Sequence, residues 1–373
     1  MAKKVMTAGH ICLDITPVFQ DNRVEKVGEL LKPGKLINMR EADVHIGGSV
    51  SNTGLAMKFL GADVSLAGKV GADAFGAMVQ KALEDYQAAD GLIIGEGETT
   101  SYSVILAIPG IDRIFLHHPG ANDTFHAEDI SEKALEDTAL FHFGYPPLMK
   151  NMYINEGDEL VRVLKKAVDA GAATSMDMAS VDPSAEPGKA PWETILAKAL
   201  PYVDFFVPSV EELCYMLDKE RFAQWQERAA GRDITEILDV EKDIRPLADR
   251  CMELGAKVLM IKCGAPGLYY RTASVDVLKK ISCRVELDCE GWADKEGFEK
   301  SYVPYKILSG TGAGDTSIAA FLTAMLDGYS LEDCMHLAAG TGASCVSAYD
   351  ALSGLKSFDE LNQMIKSGWK KYE

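Results

Sequence analysis

Three glycines precede an aspartate in the C-terminal part of the chain. Gly310, Gly312 and Gly314 come before Asp315 in the stretch SGTGAGDTSIAAFLTAML, whose apolar residues then recur at helical spacing. Glycine permits backbone angles that other residues avoid, and the first amides of a helix have no acceptor within the helix. Because these amides also carry the positive end of the helix dipole, such a turn can bind an anion. Asp315 could therefore cap the helix or act as a base beside a bound anion.

Other interpretations of this turn are a plain helix cap, a dinucleotide-binding fingerprint and a Walker phosphate-binding loop. Aspartate is favoured at helix N-termini, so capping alone would explain its presence. The GxGxxG fingerprint requires glycine where Asp315 stands, and the Walker loop requires a GK[ST] ending that the stretch lacks. The turn by itself leaves the capping and catalytic interpretations open.

A second glycine-rich helix start lies near the N-terminus. Gly47 and Gly48 precede a predicted helix that carries Asn52 in its first turns. Adjacent glycines let the backbone approach a ligand closely, and the Asn52 amide can both donate and accept hydrogen bonds. A Gly-Gly turn before a polar helix start also occurs without any ligand.

The two motifs, in this order, resemble the ribokinase-like (PfkB) family of carbohydrate kinases, from about Lys4 to about Ala351. The resemblance implies an enzyme that uses ATP and Mg²⁺ to phosphorylate a hydroxyl of a small sugar, sugar acid or related polyol. It also implies an α/β fold in which a central, mostly parallel sheet is flanked by helices on both faces and joined by a small β-sheet lid. The alternatives are a nucleoside kinase of the same family and a non-catalytic sugar or nucleotide sensor that kept the fold.

The resemblance also implies roles for individual residues. Asp315 corresponds to the general base, and the amides of Gly312, Ala313, Gly314 and Asp315 correspond to the anion hole. The expected substrate-binding residues are Asp14, Gly47, Gly48 and Asn52, with Ser103 and Arg113 of the lid. Tyr145, in FHFGYPPLM, lies near a position that is glutamate in ribose-specific members, which argues against ribose itself.

On the nucleotide side, VPSVEEL resembles the magnesium-associated segment of the family, with Glu212 as the metal-binding carboxylate. A single carboxylate suits Mg²⁺ because this ion keeps most of its water ligands. IKCGAPG resembles the loop that passes the nucleotide. Ser309 and Gly310 replace an aspartate and a threonine that help to hold a monovalent cation in the family, which disfavours potassium activation. The expected nucleotide-side residues are Ser209, Lys262, Gly264, Gly267 and Ala339, of which Ser209 and Ala339 stand where the family has asparagine.

Short apolar runs alternate with helical patterns, which independently predicts a largely parallel sheet. We expect a single domain over residues 1–373, with a lid subdomain from about 16–45 and 98–118, where strand-like patterns lack intervening helices. KKVMTAGHICLDI is predicted as one strand that ends at Asp14. YVPYKIL is predicted as the strand before the glycine-rich turn.

Composition narrows the possible partners and location. Acidic residues outnumber basic ones by 56 to 38, and the formal net charge of -18 opposes binding to nucleic acid or anionic membranes. The eight cysteines form no CxxC pair, and we find neither a signal peptide nor an apolar run of about 20 residues. These features predict a cytoplasmic protein. Exposed edge strands in the predicted lid favour a homodimer formed through it.

Overall fold

The computed structural model describes residues 3–20, 23–111 and 113–372, which form two β-sheets and their surrounding helices. The strands are β1 Lys4–Gly9, β2 Cys12–Thr16, β3 Asp43–Gly47, β4 Asp63–Gly71, β5 Ile93–Gly95, β6 Tyr102–Leu106, β7 Ile114–His118, β8 Thr138–Gly144, β9 Ala173–Met176, β10 Phe205–Phe206, β11 Val258–Lys262, β12 Gly267–Thr272 and β13 Glu296–Lys300. The α-helices are α1 Val27–Leu30, α2 Ser49–Phe59, α3 Ala74–Asp85, α4 Glu132–Leu135, α5 Asp158–Asp169, α6 Glu186–Lys189, α7 Trp192–Ala199, α8 Val210–Leu217, α9 Lys219–Ala229, α10 Arg245–Glu253, α11 Val275–Leu278, α12 Cys289–Trp292, α13 Ala313–Leu326, α14 Leu331–Cys345 and α15 Phe358–Lys366.

The larger sheet has nine strands in the order β13-β12-β11-β10-β9-β8-β1-β4-β5, and within the described residues only β12 runs in the direction opposite to the other strands. Its central strands are apolar on both sides because helices cover both faces. Phe205 packs into a core with residues of α2, α13 and α14, whereas Phe206 packs into a second core with residues of α5, α7 and α8. The predicted fold class is confirmed.

The carboxyl ends of the central parallel strands open onto one edge of this sheet, which is where ligands bind in open α/β sheets. Gly9 ends β1, Gly144 ends β8 and Lys262 ends β11. The residues next to these ends are therefore brought close together although they are far apart in the chain.

The smaller sheet has the strand order β3-β2-β6-β7. In its register Asp14 lies opposite His45 on β3 and Ser103 on β6. The prediction of one strand over KKVMTAGHICLDI is wrong, because β1 and β2 belong to different sheets. The chain turns at Gly9, whose φ is +122° and where a Cβ would lie 2.3 Å from the carbonyl oxygen of Gly144.

The smaller sheet draws β3, β6 and β7 from the two segments that were predicted as the lid, while most of β2 precedes residue 16. The described residues between β2 and β3 contain no strand, only the single turn α1. The prediction of an extended conformation throughout residues 16–45 is therefore wrong. Two prolines, two glycines and several acidic and lysine residues lie between β2 and β3, and these residue types are depleted in strands.

The prediction that YVPYKIL is a strand is also wrong. Only Tyr302 forms a bridge, to Lys371, and Pro304 has no amide hydrogen to continue a ladder. The amide of Val303 donates to the carbonyl of Lys370, and Trp369 stacks on Tyr302 with ring centroids 4.6 Å apart. This segment therefore pairs with the C-terminal tail. No helix in the described ranges combines the length and the apolar character needed to cross a bilayer.

Candidate active site

Helix α13 begins directly after the glycine-rich turn. Gly312 is its N-cap residue with a φ of +75°, and a Cβ at this position would lie 2.3 Å from the Cβ of Ala351. Only glycine fits this position without a shift of the backbone. Asp315 is the third residue of the helix and is 4 % exposed. It is not the cap, and its carboxylate is instead bonded to side chains from other elements.

Two of these side chains come from α2. The amide nitrogen Nδ2 of Asn52 donates to Oδ2 of Asp315 over 3.0 Å, and Oγ1 of Thr53 donates to Oδ1 over 3.4 Å. Helix α2 can approach this closely because it starts at Gly48, where a Cβ would lie 2.6 Å from the carbonyl oxygen of His10. The two glycine-rich motifs are thus in direct contact.

A third donor comes from the end of β8. The hydroxyl of Tyr145 donates to Oδ1 of Asp315 over 2.7 Å. Burial raises the pKa of Asp315 above the usual value for aspartate, while Lys262, Tyr145 and Asn52 lower it and the charge of Glu212 raises it further. A buried carboxyl with an elevated pKa and a defined set of donors is suited to accept a proton.

Asp14 is a second buried carboxylate in the same region. The thiol of Cys12 donates to its Oδ1 over 3.3 Å, and a Cβ on Gly47 would lie 2.0 Å from its Oδ2. Gly47 is therefore required by the close approach of this carboxylate. Burial raises the pKa of Asp14, and the neighbouring charge of Asp315 raises it further. The hydrogen bond from the Cys12 thiol and the charge of His45 lower this pKa.

Lys262, at the end of β11, lies beside the start of α13. Its Nζ lies 2.5 Å from Oδ1 of Asp177, and the two side chains are 12 % and 1 % exposed. A Cβ on Gly314 would lie 3.7 Å from the same Nζ, so the ammonium group sits beside the first turn of α13. Burial alone would lower the pKa of Lys262, but Asp177, Glu212 and Asp315 raise it, so the side chain stays charged.

Two cavities meet at the glycine-rich turn. The lid-side cavity, of about 250 Å³, lies under the smaller sheet and is lined by Asp315, Gly312 and Thr311. The α14-side cavity, of about 420 Å³, is lined by Ala313, Gly314 and Gly310. The carboxylate of Asp315 thus faces one cavity while the start of its helix faces the other. Another cavity, of about 710 Å³ beside α4 and α5, is lined by none of the predicted site residues.

The structure distributes the predicted residues between these cavities. The lid-side cavity is lined by Asp14, Gly48, Asn52, Ser103, Arg113, Gly312 and Asp315. The α14-side cavity is lined by Lys262, Gly264, Ala313, Gly314 and Ala339. Four predicted residues line neither cavity: Gly47, Ser209, Glu212 and Gly267.

Each of the remaining nucleotide-side positions has a structural contact. A Cβ on Gly267 would lie 2.1 Å from the carbonyl oxygen of Glu299, so glycine is required there for sheet packing. Ser209 and Glu212 form a capping box at the start of α8, in which Glu212 Oε2 accepts from the amide of Ser209 over 3.0 Å. The other carboxylate oxygen of Glu212, Oε1, takes no part in this capping box.

The two lid residues have partners of their own. Oγ of Ser103 is 3.0 Å from Nδ1 of His117 on the neighbouring strand. The guanidinium of Arg113 donates to Oγ1 of Thr311, in the glycine-rich turn itself. The smaller sheet is thereby connected to the turn that separates the two cavities.

The carboxylates around Lys262 make an acidic environment. The charges of Glu212 and Asp315 both act on Asp177, and Oδ2 of Asp177 is buried without a hydrogen-bond partner. Oxygen donors of this kind suit Mg²⁺. In the described chain no three carboxylate, histidine or cysteine side chains are grouped closely enough to hold a metal ion directly. The residues therefore fit an ion that is held mainly by waters and phosphate oxygens.

Sequence reasoning missed the contacts that Tyr145, Thr53 and Asp177 make. Tyr145 was interpreted only as a specificity position, although its hydroxyl contacts Asp315. Asp177 directly follows the buried strand β9, and a carboxylate at the end of an apolar run was a usable signal. Thr53 offered no signal, because a threonine on a helix is common in any protein.

Comparison with known proteins gives a consistent result. The profile of the pfkB family of carbohydrate kinases matches residues 3–357. An uncharacterized sugar kinase of Archaeoglobus fulgidus is 25% identical over 305 residues, which cover 81% of this chain and 98% of that protein. A 5-dehydro-2-deoxygluconokinase of Clostridium perfringens is 21% identical over 377 residues, covering 99% of this chain and 94% of that protein.

Solved structures share the fold. A ribokinase of Arabidopsis thaliana complexed with ribose and ATP has a TM-score of 0.70 at 19% identity, covering 98% of this chain and 99% of that one. A nucleoside kinase of Methanocaldococcus jannaschii has a TM-score of 0.65 at 20% identity, covering 98% of both chains. An E. coli protein in complex with ATP and Mg²⁺ has a TM-score of 0.68 at 18% identity, covering 98% of this chain and 99% of that one.

Proposed function

The chain belongs to the pfkB family of carbohydrate kinases, and on this basis we propose that it transfers the γ-phosphoryl group of ATP to a hydroxyl of a small sugar, sugar acid or related polyol. The observation that supports this most directly is the pair of cavities on either side of residues 310–315. A phosphoryl transfer requires an acceptor site and a donor site that share a boundary where charge is stabilised.

In the proposed mechanism Asp315 is the general base. It takes the proton of the acceptor hydroxyl as the hydroxyl oxygen attacks the γ-phosphorus and the bond to the leaving oxygen of ADP breaks. The amides of Gly312, Ala313, Gly314 and Asp315 act as the anion hole for charge on the transferring group. These amides are suited to this role because the first turn of a helix leaves its donors without intrahelical acceptors.

Lys262 supplies positive charge beside the same amides. Its Nζ is held 2.5 Å from Asp177, so the ammonium group is oriented before any phosphate arrives. Glu212 and Asp177 are the residues that would hold Mg²⁺, through waters. When bound, this ion neutralises charge on the phosphate oxygens. Gly264 and Ala339 leave room along the wall of the α14-side cavity for the nucleotide.

On the acceptor side Asp14 and Asn52 bind hydroxyl groups of the substrate, with Ser103 and Arg113 contributing from the lid. The smaller sheet closes over this site and excludes water, which would otherwise compete as the phosphoryl acceptor. The lid-side cavity, of about 250 Å³, has room for a single small sugar. The sensor alternative is not favoured, because the chain belongs to a family of carbohydrate kinases and retains Asp315.

We also propose that the chain is a cytoplasmic homodimer formed through the lid. β3 and β7 are the edge strands of the smaller sheet, and Phe115 and Leu116 on β7 are more than half exposed. Exposed edge strands with apolar side chains favour pairing with a second chain. All eight cysteines are free thiols, as is usual in a reducing compartment.

A coupled assay of ADP release tests the proposed activity. Pentoses, hexoses, sugar acids, sugar phosphates and nucleosides are screened with ATP and Mg²⁺, and hits are verified by detecting the phosphorylated product. We expect turnover with at least one sugar, sugar acid or polyol. Turnover only with nucleosides would favour the nucleoside kinase alternative, and ligand binding without any turnover would support a sensor.

A further inference from the structure

Tyr145 makes a contact that the proposed mechanism does not use. Its phenolic hydroxyl donates to Oδ1 of Asp315 over 2.7 Å, and this is a charge-assisted hydrogen bond when the carboxylate is ionised. Burial raises the pKa of Tyr145 well above its usual value, and the charges of Asp315 and Asp177 raise it further. The hydroxyl therefore remains protonated, and remains a donor, across the whole range in which an enzyme of this kind is assayed.

The backbone holds Tyr145 in an unusual conformation. Its φ and ψ are 64° and 43°, a left-handed region that residues other than glycine rarely adopt. Gly144 precedes it at a point where a Cβ would lie 1.8 Å from Oγ of Ser49, and Pro146 and Pro147 follow with their restricted φ angles. Strained residues of this kind persist when their surroundings over-determine them, and they cluster at functional sites. The strained turn aims the phenol at Asp315.

The carboxylate of Asp315 depends on such donors because its surroundings disfavour a negative charge. Burial opposes ionisation, and further carboxylates lie within electrostatic reach: Glu212 on α8, Asp177 after β9 and Asp14 on β2. The charge of Lys262 and the hydrogen bonds from Tyr145 and Asn52 act in the opposite direction and favour the ionised carboxylate.

The two oxygens of Asp315 are bonded unequally. Oδ2 accepts from Asn52 alone, while Oδ1 accepts from both Tyr145 and Thr53. Of the two Oδ1 bonds, that of Tyr145 is the shorter, at 2.7 Å against 3.4 Å. Tyr145 thus fixes the rotation of the carboxyl group and leaves Oδ2 as the oxygen with spare capacity for the incoming hydroxyl. Asn52 and Tyr145 also line the lid-side cavity next to Asp315.

We propose that Tyr145 is a positioning residue for Asp315, whose hydroxyl orients the carboxylate and keeps it ionised until the acceptor hydroxyl reaches it. The inference rests on the proposed role of Asp315 as the base. It adds that the basicity of the active site is set by the residue that directly follows β8, outside both glycine-rich motifs.

The test uses Tyr145→Phe, which keeps the ring and removes the donor. We measure the free energy of unfolding of the protein and of its Asp315→Asn variant at a series of pH values. The pH dependence of the difference reports the ionisation of Asp315 and needs no substrate. The midpoint of this dependence should move up by about one pH unit in the Tyr145→Phe background, because a hydrogen bond to the charged form is lost. The acidic limb of kcat/KM should move in the same direction, with the KM for ATP unchanged.

Tyr153→Phe is the matched control, because Tyr153 is also buried but does not line either cavity at the turn. It should leave the midpoint in place. If Tyr145→Phe does not fold, replacement of Tyr145 by a ring-fluorinated tyrosine, whose hydroxyl is a stronger donor, should lower the midpoint instead. An unmoved midpoint in the Tyr145 variants overturns the inference, even if the enzyme is active. Absence of kinase activity with a shifted midpoint would instead contradict the proposed function alone.

Discussion

Asn52 Nδ2 and Asp315 Oδ2 are 3.0 Å apart although 263 positions separate them in the chain. Each residue lies in the first turns of a helix that starts at a glycine with a positive φ, Gly48 and Gly312 respectively. Helices α2 and α13 can therefore bring their N-termini together at one point. This contact joins the side of the site that faces the lid to the side that faces α14.

Asp315→Asn should lower kcat by about 10²–10⁴-fold, because it removes the proposed proton acceptor while preserving the shape of the side chain. The measurement is steady-state ADP release with the best acceptor from the screen. Asp327→Asn, at the far end of the same helix, is the control and should retain activity. Activity of Asp315→Asn within a few-fold of the unmodified enzyme would contradict the assignment of the base.

Lys262→Met should reduce both activity and stability. Removing one partner of a buried ion pair leaves Asp177 uncompensated, which costs about 3–5 kcal/mol. The double variant Lys262→Met/Asp177→Asn should regain stability because no buried charge is left unpaired, but it should not regain kcat. Chemical denaturation and ADP release measure the two effects separately.

Lys257→Met is the matched control for that prediction. Lys257 forms a comparable ion pair with Asp204, at 2.9 Å with side chains 12 % and 8 % exposed, and it precedes β11 whereas Lys262 ends it. We expect a loss of stability with kcat unchanged. Equal losses of kcat in the two single variants would show that the effect of Lys262 on rate is only structural.

Gly312→Ala should destabilise the protein and abolish activity. The left-handed φ costs an alanine about 1–2 kcal/mol, and the clash with Ala351 should displace the amides of the proposed anion hole. Gly328→Ala is the control, because its φ of +80° is similar but a Cβ there meets nothing within 4 Å. Gly328→Ala should lose a similar amount of unfolding free energy and keep full activity. Retention of activity in Gly312→Ala would argue against an anion hole at this turn.

Asp14→Asn should become increasingly favourable for stability as the pH rises above the usual pKa of aspartate. Burial raises the pKa of Asp14 in the folded state, so its contribution to stability is present below the unfolded pKa and is lost as the pH rises through the folded one. Because asparagine cannot ionise, the variant does not undergo this loss of stability. Thermal unfolding at a series of pH values measures the difference.

Asp73→Asn should show the opposite sign. Burial tends to raise the pKa of Asp73, but hydrogen bonds from Thr100 and from the amides of the α3 terminus hold it below its usual value. Its stabilising contribution is therefore complete above the usual pKa of aspartate and lost on further acidification, so the destabilisation of the variant should be largest at neutral pH and should shrink below that pKa. The same sign for Asp14 and Asp73 would refute the electrostatic explanation.

Leu116→Glu should dissociate the proposed homodimer. Leu116 is 53 % exposed on the edge strand β7, and a charge there opposes burial against a second chain. Light scattering after size-exclusion chromatography measures the mass. Phe59→Glu changes an equally exposed residue at the end of α2 and should leave the mass unchanged. A monomeric unmodified protein, or a Leu116→Glu variant that remains a dimer, would exclude assembly through this strand.

The sequence was sufficient for the local features of the site. Gly48, Gly312 and Asp315 could be recognised because glycine and helix-terminal preferences depend on a few adjacent residues. Strand boundaries were less accurate. Gly9 breaks the first predicted strand only because the backbone of Gly144 lies against it, and the segment from Tyr302 pairs with the C-terminal tail instead of the sheet.

The sequence by itself determined that two glycine-rich helix starts exist and that an aspartate stands in one of them, because short-range chemistry specifies both. Only the tertiary structure decided which side chains surround that aspartate. The contacts from Tyr145 and Lys262 arise because β8 and β11 end at the same edge of a parallel sheet, and this neighbourhood depends on strand order and register. Strand order and register are set by long-range packing, which no local pattern of residues records.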